Sequence, residues 1–176
     1  MILSWSHKLF FKVNAYVGRL VWLDKIMFVS AHWLIFLLAL YVLSIEYFFV
    51  FSRDVSRVVR ENIFVIIVLL IGLAISYGIA CIWKHKRPFV EFPETKTMFR
   101  PKTWWKSFPS DHAFISFLCV FSLFLFAGFT WFSVIAFVLA GFVASGRVYA
   151  GVHYPRDIVG GFVLAVCMIL LLFYVF

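Results

Sequence analysis

Residues 113–146 contain no Asp, Glu, Lys or Arg. One membrane crossing takes about 20 apolar residues, so this uncharged run is too long for one span and just long enough for two short ones. Gly128, Phe129 and Thr130 offer a turn near its middle. The run therefore predicts a helical hairpin. Residues 26–45, 63–83 and 158–176 are further apolar segments of membrane length. With 65% hydrophobic residues, 22% aromatic residues and a mean hydropathy of +1.03, the chain is too apolar for a soluble domain. The expected fold class is all-α: a polytopic membrane helix bundle of about five transmembrane helices, forming one domain over residues 1–176. Residues 1–20 are different. They mix apolar positions with Lys8, Lys12 and Arg19, which suits an N-terminal interfacial helix better than a cleavable leader.

The formal net charge is +8. The basic residues gather at span ends and in the loop 84–110, a distribution that points to the membrane bilayer and an anionic lipid rather than to nucleic acid. Trp104 and Trp105 suit the headgroup level, so the loop reads as a rim or lid. Cys81, Cys119 and Cys167 lie apart within apolar stretches and read as small hydrophobes. No Cys or His spacing resembles a zinc site, and neither metal nor cofactor is expected.

Three polar clusters interrupt this apolar pattern. Lys84, His85, Lys86, Arg87 and Pro88 close one span. Pro109, Ser110, Asp111 and His112 open the next. Ser110 can cap that helix, whose first-turn N–H groups then form a phosphate cradle with His112 at its mouth. Arg147, His153 and Asp157 stand between the last two spans, with Pro155 favouring a helix start. A carboxylate four residues after His153 can fix its tautomer and free the other ring nitrogen as a nucleophile. Arg147 offers a planar fork of donors for phosphate oxygens. Taken singly, these motifs also fit a capped helix, an interfacial His–Asp pair and ordinary topology signals. If residues 113–146 cross twice, however, all three clusters share one face, and together they supply the parts for phosphoryl transfer. His7 and His32 have no comparable company, and no chemistry is assigned to them.

The motifs resemble the signature of the type-2 phosphatidic acid phosphatase superfamily. Arg87 and Pro88 match its first element. Pro109, Ser110, Asp111 and His112 match its Pro-Ser-Gly-His element with Asp111 in place of Gly, and Arg147, His153 and Asp157 match the third in both intervals. The Pro-Ser-Asp-His form, followed by Ala113, is similar to the bacterial undecaprenyl-diphosphate phosphatases of that group. Two positions depart from the pattern. The family's lysine, seven residues before the arginine, is Ala80 here, and Gly146 stands where the family has serine. Lys84, one helical turn beyond Ala80, is expected by geometry to reach the same phosphate.

The resemblance implies that His153 attacks phosphorus and forms a phosphohistidine, that Asp157 orients it, and that His112 serves as general acid and base. Arg87, Arg147, Ser110 and the backbone at Asp111 and His112 would hold the phosphate, with Lys84 added by geometry. The expected substrate is a lipid phosphate, first a polyprenyl diphosphate. Phosphatidylglycerol phosphate, phosphatidate and the lipid A 1-phosphate are alternatives, and an anionic-lipid transporter or scaffold is the non-enzymatic one. A count of positive charges would put the site inside the cell. The family implies an extracytoplasmic site in a bacterial inner membrane, with Arg53, Arg57 and Arg60 as the basic loop on the inside.

Overall fold

The computed structural model describes residues 4–48 and 55–175. Residues 1–3, Arg53 and the last residue of the expected fifth span lie outside them. The described residues form an all-helical bundle: α1 (Trp5–Asn14), α2 (Val21–His32), α3 (Leu34–Glu46), α4 (Val55–Ile82), the single-turn α5 (Pro88–Glu91), α6 (Asp111–Ala127), α7 (Trp131–Tyr149) and α8 (Pro155–Val175).

The hairpin predicted for residues 113–146 is α6 and α7. Gly128, at φ 77°, ends α6 in the left-handed region that glycine adopts without strain, and the Thr130 side chain accepts the Ser133 N–H to start α7. By length and apolar character α4 and α7 qualify as membrane spans, while α6 is an apolar helix of 17 residues. α8 occupies the place of the fifth expected span.

The expected single span over 26–45 is instead two helices, α2 and α3, bent by 59° at Trp33. A contact from across the bundle meets the break. Arg147 Nη1 donates to the Ala31 carbonyl at 2.9 Å, so a carbonyl in the last turn of α2 has a partner from α7. α7 approaches closely there. A Cβ on Gly146 would lie 2.8 Å from the Ala31 nitrogen and 3.0 Å from Ser30 Cβ. The absence of a serine at 146 is thus a packing requirement of the α2–α7 contact.

α6 sits at the centre, packing most extensively on α8 and α7. Its buried Phe114, Leu118 and Leu123 join Leu38 of α3, Val68 of α4, Ala140 of α7 and Ala165 of α8 in one core. α1 docks on the site end. Phe10 is buried against Val148 and Tyr154, and the Asn14 side chain donates to the carbonyls of Lys96 (2.8 Å) and Tyr149 (3.2 Å). Trp5 and Leu9 remain exposed, as an interfacial helix requires.

Candidate active site

Ser110 caps α6. Its hydroxyl accepts the Ala113 N–H at 3.5 Å, and its own N–H donates to the Asp157 carbonyl at 3.0 Å, tying the start of α6 to the start of α8. The N–H groups of Asp111 and His112 have no hydrogen-bond acceptor among the described residues. The helix start is therefore available as the anion cradle that the sequence suggests.

His153 lies in the short segment between α7 and α8, with 3% of its surface exposed. Its Nδ1 is 2.9 Å from the Ser107 carbonyl oxygen. A carbonyl can only accept, so Nδ1 carries the proton and Nε2 holds the lone pair. Arg87 Nη1 donates to that Nε2 at 3.1 Å. Burial, then the charges of Arg87, Arg147 and Lys106, push the His153 pKa well below the ordinary imidazole value; the Ser107 hydrogen bond opposes them. The ring is neutral at physiological pH, and its free electron pair faces the cations.

Asp157 does not orient His153 as simply as the spacing suggests. Its Oδ2 is 3.5 Å from Nδ1, longer than a good hydrogen bond. That oxygen instead accepts the Ser107 hydroxyl at 2.6 Å and the Tyr154 N–H at 2.8 Å. Asp157 thereby fixes both the residue whose carbonyl holds the imidazole and the turn that carries it. Ser107 is thus an orienting residue that the motif reading missed. Its place immediately before Phe108 and Pro109 was the available signal.

Arg87 and Arg147 are both buried, at 4% and 3% exposure. Arg87 donates to the Thr103 carbonyl (2.8 Å), the Thr103 hydroxyl (3.3 Å) and the Val152 carbonyl (2.9 Å). Arg147 donates to Ala31 and stacks over Phe99 at 5.2 Å. Its Nε has no partner among the described residues. Neither guanidinium has a carboxylate within ion-pairing distance among those residues. Burial lowers the Arg87 pKa to about 10, with Asp157 and Asp111 opposing, which leaves it charged at neutral pH. Two buried cations without counter-ions are costly unless an anion joins them.

His112 opens α6, and its ring lies within electrostatic reach of Arg147, His153 and Arg87. His32 is also in reach, a histidine left aside on sequence grounds. His112 and His153 therefore lie within electrostatic range of each other at one end of the bundle.

One geometric expectation does not hold. Lys84 does not continue the Ala80 face. α4 ends at Ile82, Ala80 is buried, and Lys84 lies exposed beyond the helix. The Asp111 carboxylate turns to Lys106 and, at 2.6 Å, to the Ser76 hydroxyl, so only its backbone N–H is offered to the cradle. The loop 84–110 is more than a rim, because Thr103, Lys106 and Ser107 supply partners to site residues.

The sequence pattern of the PAP2 superfamily matches residues 61–176, which include every polar cluster described above. The chain belongs to the PAP2 superfamily. Among its PAP2 relatives, undecaprenyl-diphosphatase BcrC of Bacillus subtilis (strain 168) is 32% identical over 152 residues, covering 86% of this chain and 74% of that one. YbjG of Escherichia coli (strain K12) is 35% identical over 101 residues, covering 54% of this chain and 46% of its own. The matched stretch thus spans about half the length of YbjG. The crystal structure of Aquifex aeolicus LpxE has the same fold, with a TM-score of 0.72 at 23% identity, covering 96% of this chain and 94% of that one.

Proposed function

We propose that this PAP2 protein hydrolyses the terminal phosphate of a lipid diphosphate, a polyprenyl diphosphate in particular, without a metal. The observation that carries the reading is two buried guanidiniums with no carboxylate partner among the described residues, one of them 3.1 Å from the Nε2 of a neutral imidazole. The polyprenyl chain follows from the B. subtilis relative, named an undecaprenyl-diphosphatase.

In this mechanism a phosphoryl oxygen displaces His153 Nε2 from Arg87, and Nε2 attacks phosphorus in line. The bond from phosphorus to the bridging oxygen breaks, and His112 delivers a proton to that oxygen. The phosphoimidazole's positive charge is stabilised at Nδ1–H by the Ser107 carbonyl and, at longer range, by Asp157. Water then attacks phosphorus while His112 accepts its proton. The N–P bond breaks, releasing phosphate and restoring neutral His153. Arg87, Arg147 and the N–H groups of Asp111 and His112 hold the equatorial oxygens, where charge builds in the transition state. Ser110 contributes as the cap that aims those N–H groups.

The site would face the exterior of a bacterial inner membrane, with Arg57 and Arg60 on the inside. The test is phosphate release by purified protein in a chelator, with polyprenyl diphosphate, phosphatidate, phosphatidylglycerol phosphate and lipid A 1-phosphate supplied separately. Turnover of the polyprenyl diphosphate above the others is expected. Release from none of them, or only after metal is restored, overturns the reading.

A further inference from the structure

Lys106 is the least explained charge in the molecule. It comes from a loop, yet it is 3% exposed. Its ammonium donates to Asp111 Oδ1, to the Ser76 hydroxyl at 3.0 Å and to the Pro109 carbonyl at 3.2 Å, and it lies 4.7 Å from the centre of the Tyr77 ring. Its charge acts on His153, and that of Arg87 acts on it, so it belongs to the field around the nucleophile. Ser76 and Ala80 are both buried on α4, one turn apart, which places the Lys106 head on the face of α4 that carries Ala80. Asp111, its carboxylate partner, also contributes a free N–H to the cradle.

We propose that Lys106 is a third cationic ligand of the transferred phosphoryl group, and that Asp111 is the latch that positions it before substrate binds. The proposal rests on the phosphatase reading above and extends the set of residues that perform it. An unpartnered carboxylate at the mouth of an anion cradle would repel phosphate, and the Lys106–Asp111 pair cancels that charge. The three acceptors of the ammonium are unequal. The carboxylate and the hydroxyl anchor it, whereas the Pro109 carbonyl is the most distant. A phosphoryl oxygen replaces that last acceptor, and the lysine stays pinned by the other two. An exposed lysine such as Lys84 would spend rotamer freedom on each binding event, and a latched one does not.

The rival role for Lys106 is to neutralise Asp111 and nothing more. Four proteins separate the two: the parent, Lys106→Met, Asp111→Asn and the double variant. Binding of inorganic phosphate is measured by calorimetry, with a melting curve on each protein. A ligand role predicts about tenfold weaker phosphate binding in Lys106→Met, equally weak binding in the double variant, and a smaller loss in Asp111→Asn, where the lysine keeps its charge but loses the carboxylate that pins it. Parent-like binding in the double variant overturns the proposal, because removing both charges would then be harmless. Should Lys106→Met fail to fold, the double variant, which buries no lone carboxylate, decides alone. The readout needs no turnover. Absence of lipid hydrolysis in the parent would sink the phosphatase reading and leave this comparison standing, and parent-like phosphate binding by the double variant would do the reverse.

Discussion

The two ends of the bundle differ in how their buried glutamates and arginines are partnered. At the end away from the site, Glu46 and Glu61 are each 5% exposed. Glu61 accepts Arg57 Nε at 2.6 Å, and Glu46 faces the side chains of Asn62 and Ser122. At the site end, Arg87 and Arg147 are buried to the same degree with no carboxylate partner among the described residues. Glu61 and Ser76 lie on one helix about 22 Å apart, so these are distinct environments on one scaffold. The first set is satisfied from within and reads as structure. The second has no carboxylate partner among the described residues, and the proposed substrate anion would complete it.

Removing the proposed nucleophile should have the largest effect. His153→Ala is expected to lower turnover more than about a thousandfold while the protein keeps its melting behaviour. Next come the guanidiniums. Arg147→Ala should cost about a hundredfold in kcat/KM, the scale of a lost oxyanion donor. It also frees the Ala31 carbonyl, so Arg147→Lys provides the control: a lysine can still reach that carbonyl but lacks the fork. A lysine variant as active as the parent would assign Arg147 to the bend in α2–α3 rather than to phosphate.

The sequence made some of this architecture legible and concealed the rest for identifiable reasons. The hairpin was visible because an uncharged run has a length that only two crossings satisfy, and Gly128 and Thr130 are local signals of a helix stop and start. The motif residues were visible because their spacing is short. The bend at Trp33 was not, because Arg147, which meets the Ala31 carbonyl there, lies 116 positions away. Lys84 was misplaced because the periodicity argument carried α4 beyond Ile82, where the helix ends. Lys106 and Ser107 were passed over because their partners Ser76 and Asp157 lie 30 and 50 positions away, and no local pattern encodes such contacts.

Ser107 offers a finer test of the site end. Ser107→Ala removes the hydroxyl donor to Asp157 but retains the carbonyl that holds His153 Nδ1–H. The expected result is about a tenfold fall in kcat with little change in KM, since one hydrogen bond to a charged group is lost. The imidazole should remain neutral. Its nitrogen NMR signals should keep the Nδ1–H pattern through pH 6, because the folded-state pKa lies well below 6.5 and protonation sets in only beneath it. Gly146→Ser acts on packing. The new Cβ meets the Ala31 nitrogen, and α7 must retreat from α2, for a stability loss of about 1–3 kcal/mol that a thermal melt can detect. Its effect on turnover should be smaller and should follow the displacement of Arg147.

The smallest effect on chemistry is expected at the opposite end, and that result bears most directly on the contrast drawn above. Glu61→Gln keeps an acceptor for Arg57 but removes the charge. If this end is purely structural, kcat and KM should stay within about twofold of the parent, with stability lower by about 1 kcal/mol. The substitution leaves the Ser76–Lys106–Asp111 contacts of the same helix untouched, so any large loss of turnover would have to travel along α4 from Glu61 to the site. A tenfold fall in kcat at an unchanged melting temperature would show that the two ends are coupled. The distinction between a self-satisfied end and an anion-seeking end would then give way to a single charge network spanning the bundle.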